Sequence, residues 1–551
     1  MTGAQFIVDQ LIKRGVTDAF GIPGGVILDL IYEMDRRKDE ITPHLSYHEQ
    51  AAGFAACGYA QVSGKIGVAY ATRGPGFTNL ITAIADAYYD SLPVVFITAH
   101  AAPCPPDGMR AMNDQEMDTC SMIRNITKVA IRLNNKDTFS QEVVNALTIA
   151  EEGRKGPVFL DIATSILKSD VAETFEVSEE LCHEEDELGM ILSEILTSVR
   201  NAKRPVILAG DGINQAGARD LFLSFVRKVN IPVISSRCCH DVLSGDRLYY
   251  GYVGSHGMRA ANFILSKTDL ILSLGNRLHF PPESESFGSI LSHAKLVRVE
   301  VDKNEFNRVM PNTVNYQCDV YKLLSEAQEE SLDLDVHGDW IEVCDVLKKE
   351  LCNVDTNPAI EKIASILQYI DDDTVIVNDV GNNEFWVSRG CVESGIRNRV
   401  YYSKSFGTLG CALGKAIGAY YATKKKVLCF VGDQGFQMNI QELQYISQHQ
   451  LPIMIVILNN HSSGMIKDRE IAAFGKLLHV SRDTGFSSPD YEKIAGAYSL
   501  PYIRKGYQYP GILEVCLDDS IGLVPSLPRG RQCQDMLPEI SKEKYQYLNA
   551  L

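Results

Sequence analysis

The stretch from Val427 to Asn460 constrains the fold more than any other part of this sequence. Val427-Leu428-Cys429-Phe430-Val431 is a continuous apolar run, as expected of a strand buried on both faces. It leads into Gly432-Asp433-Gln434-Gly435-Phe436, and then into a helical pattern with Ile440, Leu443 and Ile446 on one face. A second buried run, Ile453–Leu458, follows and ends in Asn459-Asn460. The pattern reads as a βαβ unit, with Asp433 at the carboxyl end of one strand and Asn460 at the carboxyl end of the next.

Parallel sheets bind ligands at that edge. A carboxylate oxygen and an amide oxygen there can hold a hard cation, and magnesium commonly keeps phosphate oxygens in its shell. Asp433, Asn460, a backbone carbonyl just after it at Ser462, and phosphate oxygens would complete such a shell. Gly432 and Gly435 would let backbone amides approach a diphosphate closely. For Gly-Asp alone, an ordinary βα turn with an aspartate cap explains as much. Asn-Asn at the matching strand end favours the metal.

Strand-like runs alternate with helical patterns along the whole chain, which indicates an α/β fold of doubly wound, mostly parallel sheets. With 551 residues the chain is too long for one core, and roughly 100–200 residues per domain suggests three. An acidic stretch at Glu184, Glu185, Asp186 and Glu187 reads as a solvated linker, and a second break lies near Leu332–Trp340. The expected domains are 1–175, 188–330 and 355–530, with a tail over 531–551.

A net charge of −17 argues against nucleic-acid binding, since no basic stripe could neutralise phosphates at scale. The 14 cysteines form no CxxC pair, and only Cys238 and Cys239 cluster, so reduced thiols and a cytoplasmic location are expected. Met1–Arg14 reads as an amphipathic helix rather than a secretory signal, and no apolar run is long enough to span a membrane.

The segment GDQGFQMNIQELQ…LPIMIVILNN resembles the thiamine-diphosphate motif of the acetohydroxyacid (acetolactate) synthase family. Gln434 departs from the small residue usual there. Ser46-Tyr47-His48-Glu49-Gln50 followed by Thr72-Arg73-Gly74-Pro75-Gly76-Phe77-Thr78-Asn79 resembles the family's other signature. Phe20–Gly25, Gln115-Glu116, Asp379–Asn383 and Ser403–Leu409 resemble further segments, although Asp114 replaces the Phe expected before Gln115 and Asn382-Asn383 replace the usual Gln and His.

The resemblance implies three domains for the pyrimidine, the centre and the diphosphate, and a cofactor of thiamine diphosphate with Mg2+. It implies that Glu49 activates the aminopyrimidine, that Gln115 lies near the cofactor and substrate, and that Leu409 supports the thiazolium from below. Pro23, Thr72, Asn79, Asn382, Asn383 and Gly407 would contact the cofactor, as would Gly432, Gln434, Gly435, Ser462, Gly464 and Met465. Asp433, Asn460 and Ser462 would be the metal ligands. Glu49 and Asp433 would act on one cofactor from different subunits, which implies a homodimer or homotetramer.

Gly210-Asp211-Gly212, Gly254-Ser255-His256-Gly257 and Gly275-Asn276-Arg277 stand where the family's central domain contacts FAD. The stretch after Arg277 (LHFPPESESFG) lacks the family's charged residues, and short glycine turns occur in any α/β domain. Flavin is therefore an open expectation. Two further departures bear on substrate: Thr164 replaces a Lys, and Arg469 replaces a Trp associated with 2-ketobutyrate. A guanidinium at 469 could pair with an anionic acceptor or simply face solvent.

The expected reaction is decarboxylation of pyruvate and transfer of its two-carbon unit to a keto acceptor. One alternative acceptor is a nucleotide-linked keto-sugar, which Arg469 and Pro528-Arg529-Gly530-Arg531 would suit. A catalytically silent regulatory homologue is the alternative from another class, and the joint presence of Glu49, Asp433 and Asn460 counts against it.

Overall fold

The computed structural model describes residues 1–101, 109–110, 113–172, 185–278, 285–329 and 337–551. The domain limits 175 and 330, Glu184, and most of the stretches after Arg277 and from Leu332 lie outside the described residues. No helix among the described residues is long and apolar enough to cross a membrane.

Three six-stranded sheets organise the chain, and every strand pair in them is parallel. The first holds β1 (Asp18–Gly21), β2 (Thr42–Leu45), β3 (Gly67–Tyr70), β4 (Val94–His100), β5 (Val129–Leu133) and β6 (Val158–Ala163). The central sheet holds β7 (Pro205–Ala209), β8 (Val233–Ser236), β9 (Tyr249–Val253), β10 (Leu270–Leu274), β11 (Lys295–Glu300) and β12 (Thr313–Gln317). The third holds β13 (Val375–Asn378), β14 (Val400–Tyr401), β15 (Val427–Gly432), β16 (Ile453–Asn459), β17 (Tyr502–Ile503) and β18 (Gly511–Cys516).

The first and third sheets share one strand order, β2-β1-β3-β4-β6-β5 and β14-β13-β15-β16-β18-β17. The central sheet runs β12-β11-β10-β7-β8-β9, the 3-2-1-4-5-6 order of dinucleotide-binding folds. In each sheet the chain turns back between two central strands, namely β1/β3, β10/β7 and β13/β15. Loops leaving the carboxyl ends of such a pair diverge and leave a crevice. The inner strands are apolar and buried on both faces, β4 and β16 along their whole length, because helices cover both sides of a parallel sheet.

The first and third sheets belong to one compact unit. The central sheet lies in the other, with Phe385–Arg399 and Ser520–Leu551. Inside the first unit, the helices Glu49–Ser63 and Ala412–Thr423 meet through small residues. A Cβ at Gly418 would stand 1.9 Å from Ala55 O, and one at Gly58 would stand 2.3 Å from Lys415 O.

Three elements differ from the sequence reading. The acidic stretch is not wholly a linker, since the helix Glu185–Asn201 starts within it; acidic residues suit a helix amino terminus. The tail over 531–551 carries a helix the sequence reading did not name, Lys542–Ala550, which buries Leu548, and Arg204 donates to Leu551 O. The helix read across Ile440–Ile446 is two short ones, Asp433–Met438 and Glu442–Gln448. Asn439 interrupts them, its amide donating to Gly410 O at 2.8 Å and to Gln50 Oε1 at 3.3 Å.

Candidate active site

The first cluster forms where β1 and β3 end. Glu49 opens its helix, and His48 caps that helix by accepting from Gln50 N at 3.1 Å. The Glu49 carboxylate is half-buried and accepts from Asn79 Nδ2 at 2.9 Å. Its Oε1 would stand 3.3 Å from a Cβ at Gly76. Gly24 lies against Thr72, and Gly74, with φ of +63°, lies against Gln115. Glu49, Asn79, Thr72 and Gln115 are thus gathered around one glycine-rich turn. Pro23 is exposed.

Glu116 has a different role from its neighbour. It is buried and takes Arg73 Nη1 and Ala101 N on Oε1, with Arg132 at 3.5 Å from Oε2. Arg132 also pairs with Asp161 at 3.2 Å, and Asp161 pairs with His100 at 3.2 Å. Such a network fixes the loop that presents Gln115.

The second cluster forms where β13, β15 and β16 end. Asp433 is 2% exposed, and burial pushes its carboxyl up to about 6. Hydrogen bonds from Ser488 Oγ (3.1 Å) and Gln434 N (2.9 Å), and from the His461 and Ser462 amides, work the other way. Asn460 and Asn382 are both buried beside Gly464, whose Cβ would stand 2.8 Å and 2.7 Å from their Nδ2 atoms. Both amide atoms of Asn382, and Ser462 Oγ, are buried without a hydrogen-bond partner. Gly432 stands against Asn383, and Gly435 against Asp379 and Leu409. Burial pushes the Asp379 carboxyl up to about 7, although it accepts from Val380 N and Gly410 N.

These residues fit a magnesium diphosphate. The buried Asn382 amide and Ser462 hydroxyl, unpartnered among the described residues, call for an external polar group, and a buried carboxylate favours a cation. No cluster of three or more His, Cys, Asp or Glu side chains of metal-ligating kind occurs among the described residues. A cation held here would meet one carboxylate and would rely on amide and backbone oxygens for the rest.

Glu49 and Asp433 share no hydrogen bond; each belongs to its own cluster. Gln434 and Gly407 are exposed, and Met465 and Leu409 are half-buried. Arg469 is exposed on the helix Gly464–Phe474, whereas Lys467, two positions earlier, is buried and bonded to Asp519 O.

The sequence reading missed Glu442. It is 1% exposed, and its Oε1 accepts from Tyr47 N (3.0 Å) and His48 N (3.1 Å), the amides just before Glu49. Burial raises this carboxyl to about 7. Only its place inside the QELQ segment marked it, and no local rule links that segment to residues 47 and 48.

The central glycines have a structural reason of their own. A Cβ at Gly210 would stand 2.1 Å from Gly275 O, and one at Gly212 would stand 2.7 Å from Gly275 Cα. Asp211 is engaged with Asn214 and Gln215. These glycines therefore carry no weight for a flavin.

Family models match all three parts of the chain. Residues 1–122 match the N-terminal TPP binding domain of thiamine pyrophosphate enzymes, 192–327 the central domain, and 379–519 the C-terminal TPP binding domain. The acetolactate synthase large subunit of Lactococcus lactis subsp. lactis is 32% identical over 560 residues, covering 97% of this chain and 96% of that one. The acetolactate synthase isozyme 2 large subunit of Escherichia coli is 30% identical over 568 residues, covering 98% of this chain and 100% of that one. The chloroplastic acetolactate synthase 1 of Zea mays is 30% identical over 578 residues, covering 97% and 88%. With family models over its first, central and third parts and relatives along almost its full length, the chain belongs to the thiamine pyrophosphate enzyme family and is a TPP-dependent enzyme close to the acetolactate synthase large subunits.

Proposed function

We propose that this enzyme is a carboligase that decarboxylates pyruvate and transfers the two-carbon unit to a keto acceptor. With a second pyruvate the product is 2-acetolactate. The observation that carries the reading is the Asp433 cluster, where buried Asn382 and Ser462 lack partners beside a buried carboxylate. Full-length likeness to acetolactate synthases supports the choice of substrate.

Bound thiamine diphosphate would supply the carbanion that makes and breaks a bond next to a keto group. Asp433, the Asn460 amide oxygen and the Ser462 carbonyl would hold Mg2+, and Asn382, Asn383, Gly432 and Gly464 would receive the diphosphate. Glu49 would hold a proton at the pyrimidine ring nitrogen, oriented by Asn79. Leu409 would support the thiazolium, and Gln115 would orient the substrate. The resemblance to acetolactate synthases implies that Glu49 and Asp433 act on one cofactor from different subunits, and on that ground we take the enzyme as a homodimer or homotetramer.

The buried Cys57, Cys344, Cys391, Cys411 and Cys429 stand as thiols, which supports a cytoplasmic enzyme. Flavin is tested separately, by the visible absorbance of the purified protein. The deciding experiment supplies pyruvate, magnesium, thiamine diphosphate and a panel of ketones, and identifies products by mass. 2-Acetolactate or a mixed 2-hydroxy-2-acyl product is expected; carbon dioxide release without any ligated product would overturn the carboligase assignment.

A further inference from the structure

The helices Glu49–Ser63 and Ala412–Thr423 approach closely at Gly58, Gly414 and Gly418, and a charged residue, Lys415, sits in that close approach. Lys415 is 0% exposed, at the point where Gly58 crosses its backbone. Its Nζ lies 2.8 Å from Asp86 Oδ2, in ion-pair contact but not aligned as a hydrogen bond, and 3.9 Å from Asp90 Oδ2. Asp86 is itself 0% exposed and Asp90 5% exposed. Burying a charge in such a place is costly unless it is paired, so a lysine there needs these carboxylates and they need it.

Both carboxylates use their remaining capacity on one loop. Asp86 Oδ1 accepts from Ser403 Oγ at 2.5 Å and from Thr408 Oγ1 at 2.8 Å. Asp90 accepts from the amides of Lys404 at 2.8 Å and Ser405 at 2.7 Å. Thr408 N closes the loop on Ser403 Oγ at 2.9 Å. The next two residues are Leu409, placed against Gly435, and Gly410, whose amide donates to Asp379. Ser403–Gly410 is thus moored on buried carboxylates, and Lys415 is the cation in contact with two of them.

We propose that Lys415 is a positioning residue: its ammonium holds the buried Asp86 and Asp90 carboxylates where they anchor residues 403–408, and so sets the loop that carries Leu409 to the cofactor. The part concerning the cofactor rests on the carboligase reading above. The balance of charge agrees with it. Burial opposes the ammonium, yet the neighbouring groups, Asp86 foremost and Asp90 among them, together outweigh burial and hold Lys415 above its usual value. Asp90 is raised to about 6, first by burial and then by Asp86, even with Lys415 present. Without the lysine the Asp90 carboxyl would be raised further, and a protonated carboxyl is a weaker acceptor for the loop amides.

Hydrogen–deuterium exchange of the magnesium- and thiamine-diphosphate-loaded enzyme, read by mass over 403–410, tests this. In Lys415→Met the Lys404, Ser405 and Thr408 amides should exchange about tenfold faster. Turnover should fall about tenfold while KM for pyruvate stays within about twofold, because the donor-binding groups are untouched. Lys415→Met/Asp86→Asn removes one negative charge together with the positive one and keeps an oxygen for Ser403 and Thr408. It should recover most of the protection and turnover. Unchanged exchange in Lys415→Met, or a double variant no better than the single, would overturn the proposal. If Lys415→Met does not fold, a folded double variant is the expected result and an unfolded one refutes it. A wild-type enzyme that releases no carbon dioxide from pyruvate would sink the carboligase reading instead, and the exchange would still decide the role of Lys415 in the loop.

Discussion

Glycines crowd the carboxyl edge of both the third sheet and the central sheet, but they make room for different things. In the third sheet Gly464 and Gly432 stand against the side-chain amides of Asn382, Asn460 and Asn383. Both amide atoms of Asn382 have no hydrogen-bond partner among the described residues. In the central sheet Gly210 and Gly212 stand against the backbone of Gly275, and the neighbouring Asp211 is satisfied locally. A glycine turn at a switch point is therefore not by itself a binding site. What distinguishes the two is whether the space beside the glycine is lined by polar groups that still need a ligand.

The largest effect should come from the cofactor clusters. Glu49→Gln should lower turnover by roughly 10²–10⁴-fold while leaving cofactor binding nearly intact, since a transferable proton is lost and no metal ligand is touched. Asp433→Ala should instead abolish magnesium-dependent cofactor binding. Calorimetry beside steady-state rates checks both, and near-normal turnover in Glu49→Gln would remove that cluster from catalysis.

Glu442 should show in the pH dependence of stability. Its carboxyl is raised from an ordinary 4.5 to about 7 on folding, chiefly by burial. A carboxyl raised in this way favours the folded state fully below about 4.5, and that contribution is lost as pH rises through about 7. The change amounts to about 3 kcal/mol. Glu442→Gln keeps an acceptor for Tyr47 N and His48 N but cannot ionise. Urea unfolding from pH 4.5 to 7.5 should show a shallower decline in the variant; parallel curves would mean that Glu442 does not titrate there.

The contrast between the two sheets is sharpened by a pair of alanine substitutions. Gly210→Ala should cost about 1–3 kcal/mol of stability and leave cofactor affinity unchanged, because its new Cβ meets unyielding backbone. Gly464→Ala meets the ends of two asparagine side chains, which can turn aside. It should barely change stability but weaken magnesium-diphosphate binding by about tenfold or more, the value of one charge-assisted hydrogen bond. If Gly210→Ala also loses cofactor, the contrast fails.

The smallest effect is expected at Arg469, which is exposed in the single chain. Arg469→Trp should leave pyruvate decarboxylation unchanged and move acceptor preference towards 2-ketobutyrate by about 1 kcal/mol, the low end for one methylene. A competition between acceptors at fixed pyruvate measures it, and identical product ratios would place Arg469 in solvent.

The sequence by itself determined the parallel α/β class and two buried strands, read over Val427–Val431 and Ile453–Leu458 and each one residue longer in the structure, with Asp433 and Asn460 following them. These follow from local causes: continuous apolar runs, and polar residues where the runs stop. The tertiary structure alone decided which residues share a site. Glu442 reaches back to residues 47 and 48, and Lys415 to Asp86, over hundreds of residues of chain. The break at Asn439 comes from Gly410 and Gln50, which no periodicity around Ile440 could announce. The central glycines looked like a ligand motif until Gly275 was seen lying against them. Hydrophobic period and turn chemistry are written locally, whereas the partner of a buried charge and the occupant of a glycine's missing side chain are set by where distant segments pack.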